Sequence, residues 1–378
     1  MHLKGVLYNL YYFIISRRLG SIYQMANSII TETGSYIPPE AIPNQYFLDK
    51  DFYGPDGKRL ERPNSDIIKK LNEITLIEER RYVTDGLTTS DIAYRAALKA
   101  LDGFDRESLD YIIVAQNFGD VRKGKIRTDM VPNIASRVKH KLKIKNPYTV
   151  AYDIPFGCPG WLQAMIMADY YIKSGDASRI LVIGAEILSR VTDPHDIDSM
   201  IYADGAGATL VEATDQDAGI LSHVTRSDTF DNAYLLWLGK SYNPKNTEYD
   251  LFIKMRGHDI YKYAVRTVPK VIKENLEKAG FHLSDVKKVL VHQANAKMDE
   301  AILKRLFKLY DIQEIPADIM PMMISWSGNS SVATLPTMLD LIVKGKLDNH
   351  RLHSGDILVF SSVGAGMNIN SMIYRVPS

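Results

Sequence analysis

Apolar residues along this chain come in two spacings, and their alternation predicts the architecture. "DYIIVAQN" (110–117) and "SRILVIGAEIL" (178–188) are short apolar runs closed by polar residues, the pattern of buried parallel strands. "WLQAMIMADYYIKSG" (161–175) repeats its apolar positions at helical spacing and stops at Ser-Gly. "RGHDIYKYAVRTVPKVIKENLEKAG" (256–280) reads as a long amphipathic helix with Ile260, Ala264, Val268, Val271 and Leu276 on its apolar side. Pro269 interrupts that pattern and predicts a kink. "MANSIITETGSYIPP" reads as a strand and then a turn, with folded structure starting near Met25. Strands alternating with helices predict an α/β fold.

A faint internal repeat refines this. "GFDRESLDYIIVAQ" begins at Gly103 and "GFHLSDVKKVLVHQ" at Gly280, 177 residues further on. "DGAGATLVEA" (204–213) and "VGAGMNINSMIYRV" (363–376) both place Gly-Ala-Gly before a strand. Two echoes in the same order predict two related halves, 25–214 and 215–378, with no low-complexity linker between them. Residues 1–24 stand apart as an N-terminal extension. Their apolar run "GVLYNLYYFIIS" is 12 residues long, short of the ~20 that span a bilayer. "RRLGSIYQ" follows it without a small-residue cleavage site, so neither a stable membrane span nor a signal peptide is expected.

Composition narrows the function class. The chain has 378 residues, 46% hydrophobic and 24% charged, with a net charge of +1. That balance exerts no general pull on nucleic acid or membrane. A single cysteine, Cys158, can form neither an internal disulfide nor a multi-thiolate metal site, and it fits a reducing, cytoplasmic compartment.

Three stretches carry chemistry. "TVAYDI" runs into "PFGCPGWLQAM", which sets Cys158 at a strand-to-helix junction with Pro159 suited to the first helical position. A thiol there faces the positive end of the helix, which predicts a lowered pKa and a nucleophile; the alternative is a small buried hydrophobe. In "VLVHQANAKMDE" (289–300), His292 ends a buried strand, where α/β folds place catalytic groups, although such a histidine is more often structural. In "SWSGNSSVATLP" (325–336), Asn329 alone reads as a turn or capping residue.

Together, Cys158, His292-Gln293-Ala294-Asn295 and Gly328-Asn329-Ser330-Ser331 resemble the β-ketoacyl-acyl-carrier-protein synthase III family of condensing enzymes. The resemblance extends to "ILSRVTDPHD" (187–196), "YADGAGAT" (202–209), "MRGHDIYKYAV" (255–265) and "GDILVFSSVGAGM" (355–367). It implies a thiolase-like fold, five layers αβαβα built from the two halves. It implies that Cys158 takes an acyl group from a thioester. His292 and Asn329 would then support the decarboxylative condensation of a malonyl-type thioester. The backbone N–H of Cys158 and the Gly364-Ala365 segment would form the oxyanion hole. No metal or resident cofactor is implied, since coenzyme A or phosphopantetheine enters only as the substrate's carrier. The implied partners are an acyl carrier protein and a second copy of the chain.

The departures from the family matter too. Where the family reads Thr-Gly-Ile-Arg-Glu-Arg, this chain has "TLIEERR" (75–81), with Leu76 for glycine and Glu78 for arginine. "DIIKKLNEI" lacks the tryptophan and arginine that pack on the coenzyme A nucleotide, although Arg190 matches a nucleotide contact. Both changes favour a carrier-protein-bound donor. The loop 117–133 is long and basic, and by resemblance it reaches a partner's acyl pocket. Val131 falls at the pocket-limiting position, which predicts room for medium or long chains. "DFYGPDGKRLERPN" (51–64) looks like an inserted polar loop. Asn295 belongs to the motif and is a candidate substrate contact. Lys297, with Lys304 and Lys308 on the same helix face, is a candidate dock for an acidic carrier. Alternative readings are a ketosynthase of dialkylresorcinol or aryl-polyene pathways, joining two longer chains, and a Cys–His–Asn acyltransferase or hydrolase.

Overall fold

The apolar runs assemble into two sheets. In the computed structural model, which describes residues 26–125, 127–246 and 251–378, the first sheet has five strands. Their order is Asn27–Tyr36, Asp204–Thr214, Arg179–Ile187, Tyr111–Ala115 and Val150–Ile154. Tyr111–Ala115 pairs in parallel with both of its neighbours, and the other pairings are antiparallel. The second sheet runs Val286–Val291, Ile357–Gly364, Asn368–Arg375, Gly219–Ser227, its first pair parallel and the rest antiparallel. The 177-residue echo falls on strands that are each fourth from one end of their sheet and parallel to the third, although Tyr111–Ala115 is interior and Val286–Val291 is an edge. The extension 1–24 lies outside the described residues.

Helices fill three layers around the sheets. Gly160–Ser174 and Thr334–Val343 lie between them, where Trp161, Met165, Leu335 and Met338 share one core with Val182 of the first sheet and Phe360 of the second. Thr89–Ala100 and Ile134–Lys141 cover the outer face of the first sheet. Gly257–Ala279 and Ala296–Lys308 cover the second. This is the five-layer αβαβα arrangement expected. The middle helix is apolar nearly all round because it is sandwiched between sheets, and it stops at Gly175 in the left-handed conformation (φ 78°).

Two expectations are refined by the structure. The first concerns extent: the long amphipathic helix expected over 256–280 runs as one element, Gly257–Ala279, with Pro269 buried inside it and held by packing against the second sheet, although proline removes one backbone donor. The first Gly-Ala-Gly does not precede a strand but lies inside Asp204–Thr214. A Cβ on Gly207 would sit 2.7 Å from Pro336 Cβ and from Thr337 N, so glycine there permits close helix–sheet contact. The second motif, Gly364-Ala365-Gly366, is a turn, with Gly366 at φ 77°.

A hairpin of Leu236–Gly239 and Phe252–Met255 leans on the site described below. Period-2 alternation divides its second strand: Ile253 and Met255 face the cavity, while Lys254 points the other way and is 1% exposed. Lys254 Nζ lies 2.6 Å from Asp193 Oδ2 and 3.0 Å from Asp196 Oδ2, and it sits over the Tyr242 ring. A buried ammonium needs such partners, and here they fasten the hairpin to the loop after Arg179–Ile187. Leu76, where the family has glycine, caps the helix Asn64–Thr75 in the left-handed conformation (φ 56°). That conformation favours glycine, and a residue with a Cβ adopts it at a cost.

Candidate active site

Cys158 lies in the loop between the strand Val150–Ile154 and the helix Gly160–Ser174. Gly157, before it, has φ 65°, and an added Cβ would meet Ala365 N at 2.8 Å. A Cβ on Gly364 would meet Cys158 N at 2.5 Å and Pro159 Cδ at 2.6 Å. Bare backbone on both sides lets the Gly-Ala-Gly turn press on the cysteine loop. From below, Gly157 N donates to Asn117 Oδ1 (2.9 Å), and Asn117 Nδ2 donates to Glu186 Oε2 (2.6 Å). Glu186 is fully buried, and burial pushes its carboxyl up to about 8.

His292 follows directly on the strand Val286–Val291, and its N–H donates to Ser361 O (2.9 Å). Both ring nitrogens are buried without a hydrogen-bond partner among the described residues. Burial lowers its pKa to about 4, so the imidazole is neutral near pH 7 with one N–H to donate. Asn329 is pinned by its backbone: its N–H donates to Ile201 O (3.0 Å), and its carbonyl accepts from Ala203 N (2.8 Å). Asn329 Oδ1 accepts from Ser331 N (2.9 Å), which leaves Nδ2 as the uncommitted donor. Gln293 acts as a brace. Its Nε2 donates to Pro321 O (2.7 Å), and its Oε1 accepts from Met323 N and Ile324 N, steadying the segment that leads to Asn329.

Cys158, His292, Asn329, Gly364 and Ala365 line one cavity of about 210 Å³. Its remaining walls are mainly apolar, with Leu236, Trp237, Ile253, Met255, Met298 and Met367 prominent. The sequence reading missed the hairpin's share of this wall; the apolar run in "LLWLG" (235–239) was the available signal. It also missed Ser331, whose Oγ donates to Cys158 Sγ at 3.4 Å, Asn117 on the cavity wall, and Gln293 and Glu186 behind the site.

The expected depression of the Cys158 pKa is corrected. Burial pushes the thiol up to about 11, and the Glu186 carboxylate adds to the rise. The helix starts at Gly160, and desolvation of the partly buried sulfur outweighs the pull of its N-terminus. Three other candidates also take different places. Asn295 is the N-cap of Ala296–Lys308, its Oδ1 accepting from Met298 N (3.1 Å), and it does not line the cavity. Arg190 spends its guanidinium on the carbonyls of Leu87, Val121, Thr84 and Asp85. Val131 is 87% exposed and lies with Arg190 beside a separate open cleft. Lys297, Lys304 and Lys308 are all exposed, as the helix pattern predicts, with Lys297 3.3 Å from Glu300.

Comparison with known proteins fits this geometry. The models of 3-oxoacyl-[acyl-carrier-protein] synthase III and of its C-terminal domain match residues 152–229 and 276–376. A β-ketoacyl-[acyl-carrier-protein] synthase III of Xanthomonas campestris pv. campestris is 32% identical over 359 residues, covering 92% of this chain and 98% of the relative. A synthase III of Halalkalibacterium halodurans is 32% identical over 356 residues, 93% and 99% of the two chains. Among solved structures, 3-oxoacyl-[acyl-carrier-protein] synthase III from Aquifex aeolicus superposes with a TM-score of 0.74 at 29% identity, covering 92% of this chain and 99% of the other. The Thermus thermophilus synthase III gives 0.76 at 27%, covering 92% and 98%. Sequence relatives over nearly the whole length, on the same two-sheet frame, place this chain in the 3-oxoacyl-[acyl-carrier-protein] synthase III family: a condensing enzyme of the acyltransferase class with the thiolase fold.

Proposed function

We propose that Cys158 is the acyl acceptor and that His292 and Asn329 serve the condensation. The Cys158 sulfur attacks an acyl thioester, the acyl carbon–sulfur bond to the carrier breaks, and the cysteine's proton ends on the departing carrier thiol. The backbone N–H of Cys158 and the Gly364-Ala365 segment pressed against it face the acyl oxygen. A malonyl-type thioester then enters. The neutral imidazole of His292 and Asn329 Nδ2 donate to its thioester oxygen while carbon dioxide leaves. The resulting carbanion attacks the acyl-cysteine, forming a carbon–carbon bond and releasing a 3-oxoacyl thioester and free Cys158. The observation that carries this reading is the convergence of Cys158, His292 and Asn329 on one apolar-walled cavity. The synthase III relatives favour it over the pigment-pathway and hydrolase alternatives.

The donor and malonyl-type groups arrive on an acyl carrier protein, docked on Lys297, Lys304 and Lys308, and no cofactor beyond the substrate's own carrier takes part. The enzyme works in the cytoplasm as a homodimer, each subunit composed of halves 25–214 and 215–378. Two features support the dimer. Val150–Ile154 ends its sheet with Tyr148 85% and Val150 47% exposed, and an uncovered apolar strand edge invites a partner strand. Val131 is exposed and absent from the lining of its own cavity, which leaves it free for a second copy. Val131→Phe should then shift preference toward short acyl chains, and a monomer in light scattering would remove the basis for that expectation.

The direct test is intact mass of the protein after exposure to acyl thioesters of graded length. The wild type should gain one acyl group, mapped to Cys158, and Cys158→Ala should gain none while remaining folded. Turnover by Cys158→Ala, or acylation elsewhere, would overturn the reading.

A further inference from the structure

Ser331 is the motif residue that the proposed chemistry leaves unused, and it is held in an unusual way. Its φ is 52°, a left-handed conformation that a residue with a Cβ adopts at a cost of about 1–2 kcal/mol. It is 6% exposed. The surroundings over-determine this backbone. Asn329 is hydrogen-bonded on both sides to the 201–203 segment. The next residue, Val332, lies so close to the strand Arg179–Ile187 that a Cβ on Gly184 would run into its carbonyl. The strained turn has two consequences. Ser331 N–H orients the Asn329 amide through Oδ1, and the Ser331 side chain is aimed at Cys158, 173 residues away in sequence.

The groups around the sulfur make that aim meaningful. Glu186, on Arg179–Ile187, is an acidic group that interacts unfavourably with a thiolate. His292 is neutral and offers no positive charge. Among the described residues Ser331 is the one side chain hydrogen-bonded to the sulfur. We propose that Ser331 is a catalytic residue whose hydroxyl donates to the Cys158 sulfur and stabilises the thiolate as it forms. No proton changes owner in this contact. The hydrogen bond strengthens as sulfur gains negative charge and weakens once the sulfur is acylated and neutral, so it favours the attacking state over the acyl-enzyme. The inference rests on Cys158 as the acylated residue.

The test uses the chain's single cysteine. Iodoacetamide modification followed by intact mass reports on that sulfur alone, with no thioester needed. Ser331→Gly removes the hydroxyl and suits a positive φ, so it relieves strain; Ser331→Ala removes the hydroxyl and keeps the Cβ. Both variants should alkylate about tenfold more slowly at pH 8, with the pH profile displaced upward by about one unit, the equivalent of about 1.4 kcal/mol. Both should also slow acylation by a small acyl thioester to a similar degree. A wild-type alkylation profile in either variant would overturn the proposal. So would a loss confined to Ser331→Ala, which would assign the effect to backbone conformation. Absence of acyl transfer to Cys158 in the wild type would instead refute the underlying reading, and it is scored by a separate measurement.

Discussion

Gly364→Ala is expected to disable acylation without unfolding the enzyme. Gly364 has φ −162° and ψ −165°, an extended conformation open to any residue, so alanine brings no backbone penalty of its own. Its effect is steric. The new methyl carbon would lie 2.5 Å from Cys158 N, 2.6 Å from Pro159 Cδ and 3.0 Å from Cys158 Cβ. Ordinary contact begins near 3.4 Å, so the two loops must part by about 0.9 Å. The atoms that must move are the backbone and Cβ of the nucleophile itself, and no flexible side chain can absorb the shift. A displacement of about 1 Å at a reacting group costs on the order of 10²-fold in rate, equivalent to about 2.7 kcal/mol. Overpacking costs about 1–3 kcal/mol of stability, which a domain of this size can bear. The assay is the rate of acyl adduct formation on Cys158 by rapid-quench mass spectrometry, alongside a urea unfolding curve. Gly86→Ala, whose Cβ would find nothing within 4 Å, is the control and should match wild type. Acylation by Gly364→Ala within threefold of wild type would refute the claim that the turn sets the nucleophile's position.

The remaining predictions concern pH, capping and docking. His292 has a folded pKa near 4 against an ordinary 6.5, so between those values the unfolded chain binds more protons and stability rises with pH. Acidification from pH 7 to 4 should therefore cost on the order of 3 kcal/mol through this residue. His292→Gln should flatten the stability–pH curve in that window relative to wild type, and identical slopes would contradict the buried neutral imidazole. Asn295→Ala should lose about 1 kcal/mol of stability in urea unfolding, and Asn295→Asp should restore most of it, because either side-chain oxygen caps the helix. A substrate-contact role would show instead as a raised KM that the aspartate fails to rescue. Lys297→Glu should raise KM for a carrier-bound donor severalfold, less so as salt is added, and leave a small thioester mimic unaffected. Equal slowing of both substrates would place the lysine in support of the active site.

Much of this protein is local enough to be legible in its sequence. Continuous apolar runs at 111–115 and 179–187 became central strands because residues buried on both faces leave no polar alternation to misread. Ser-Gly ended the helix Gly160–Ser174 because glycine alone enters the left-handed cap without cost. Cys158, His292 and Asn329 were legible because each stands in a short motif whose neighbours shape its own loop. Tertiary structure decided what depends on groups distant along the chain. The helix start beside Cys158 predicts a lowered pKa, but the protein packed around the partly buried sulfur desolvates it and the Glu186 charge opposes a thiolate, so the thiol rises instead. Arg190 looks like a free cation in sequence, yet the fold surrounds it with four backbone carbonyls. The hydroxyl of Ser331 meets the Cys158 sulfur across 173 residues because the loop after Val150–Ile154 and the turn before Thr334–Val343 close on one cavity. Periodicity and motif report a residue's own turn or strand; desolvation and long-range contact sum over every element packed around it, and only the assembled fold supplies that sum.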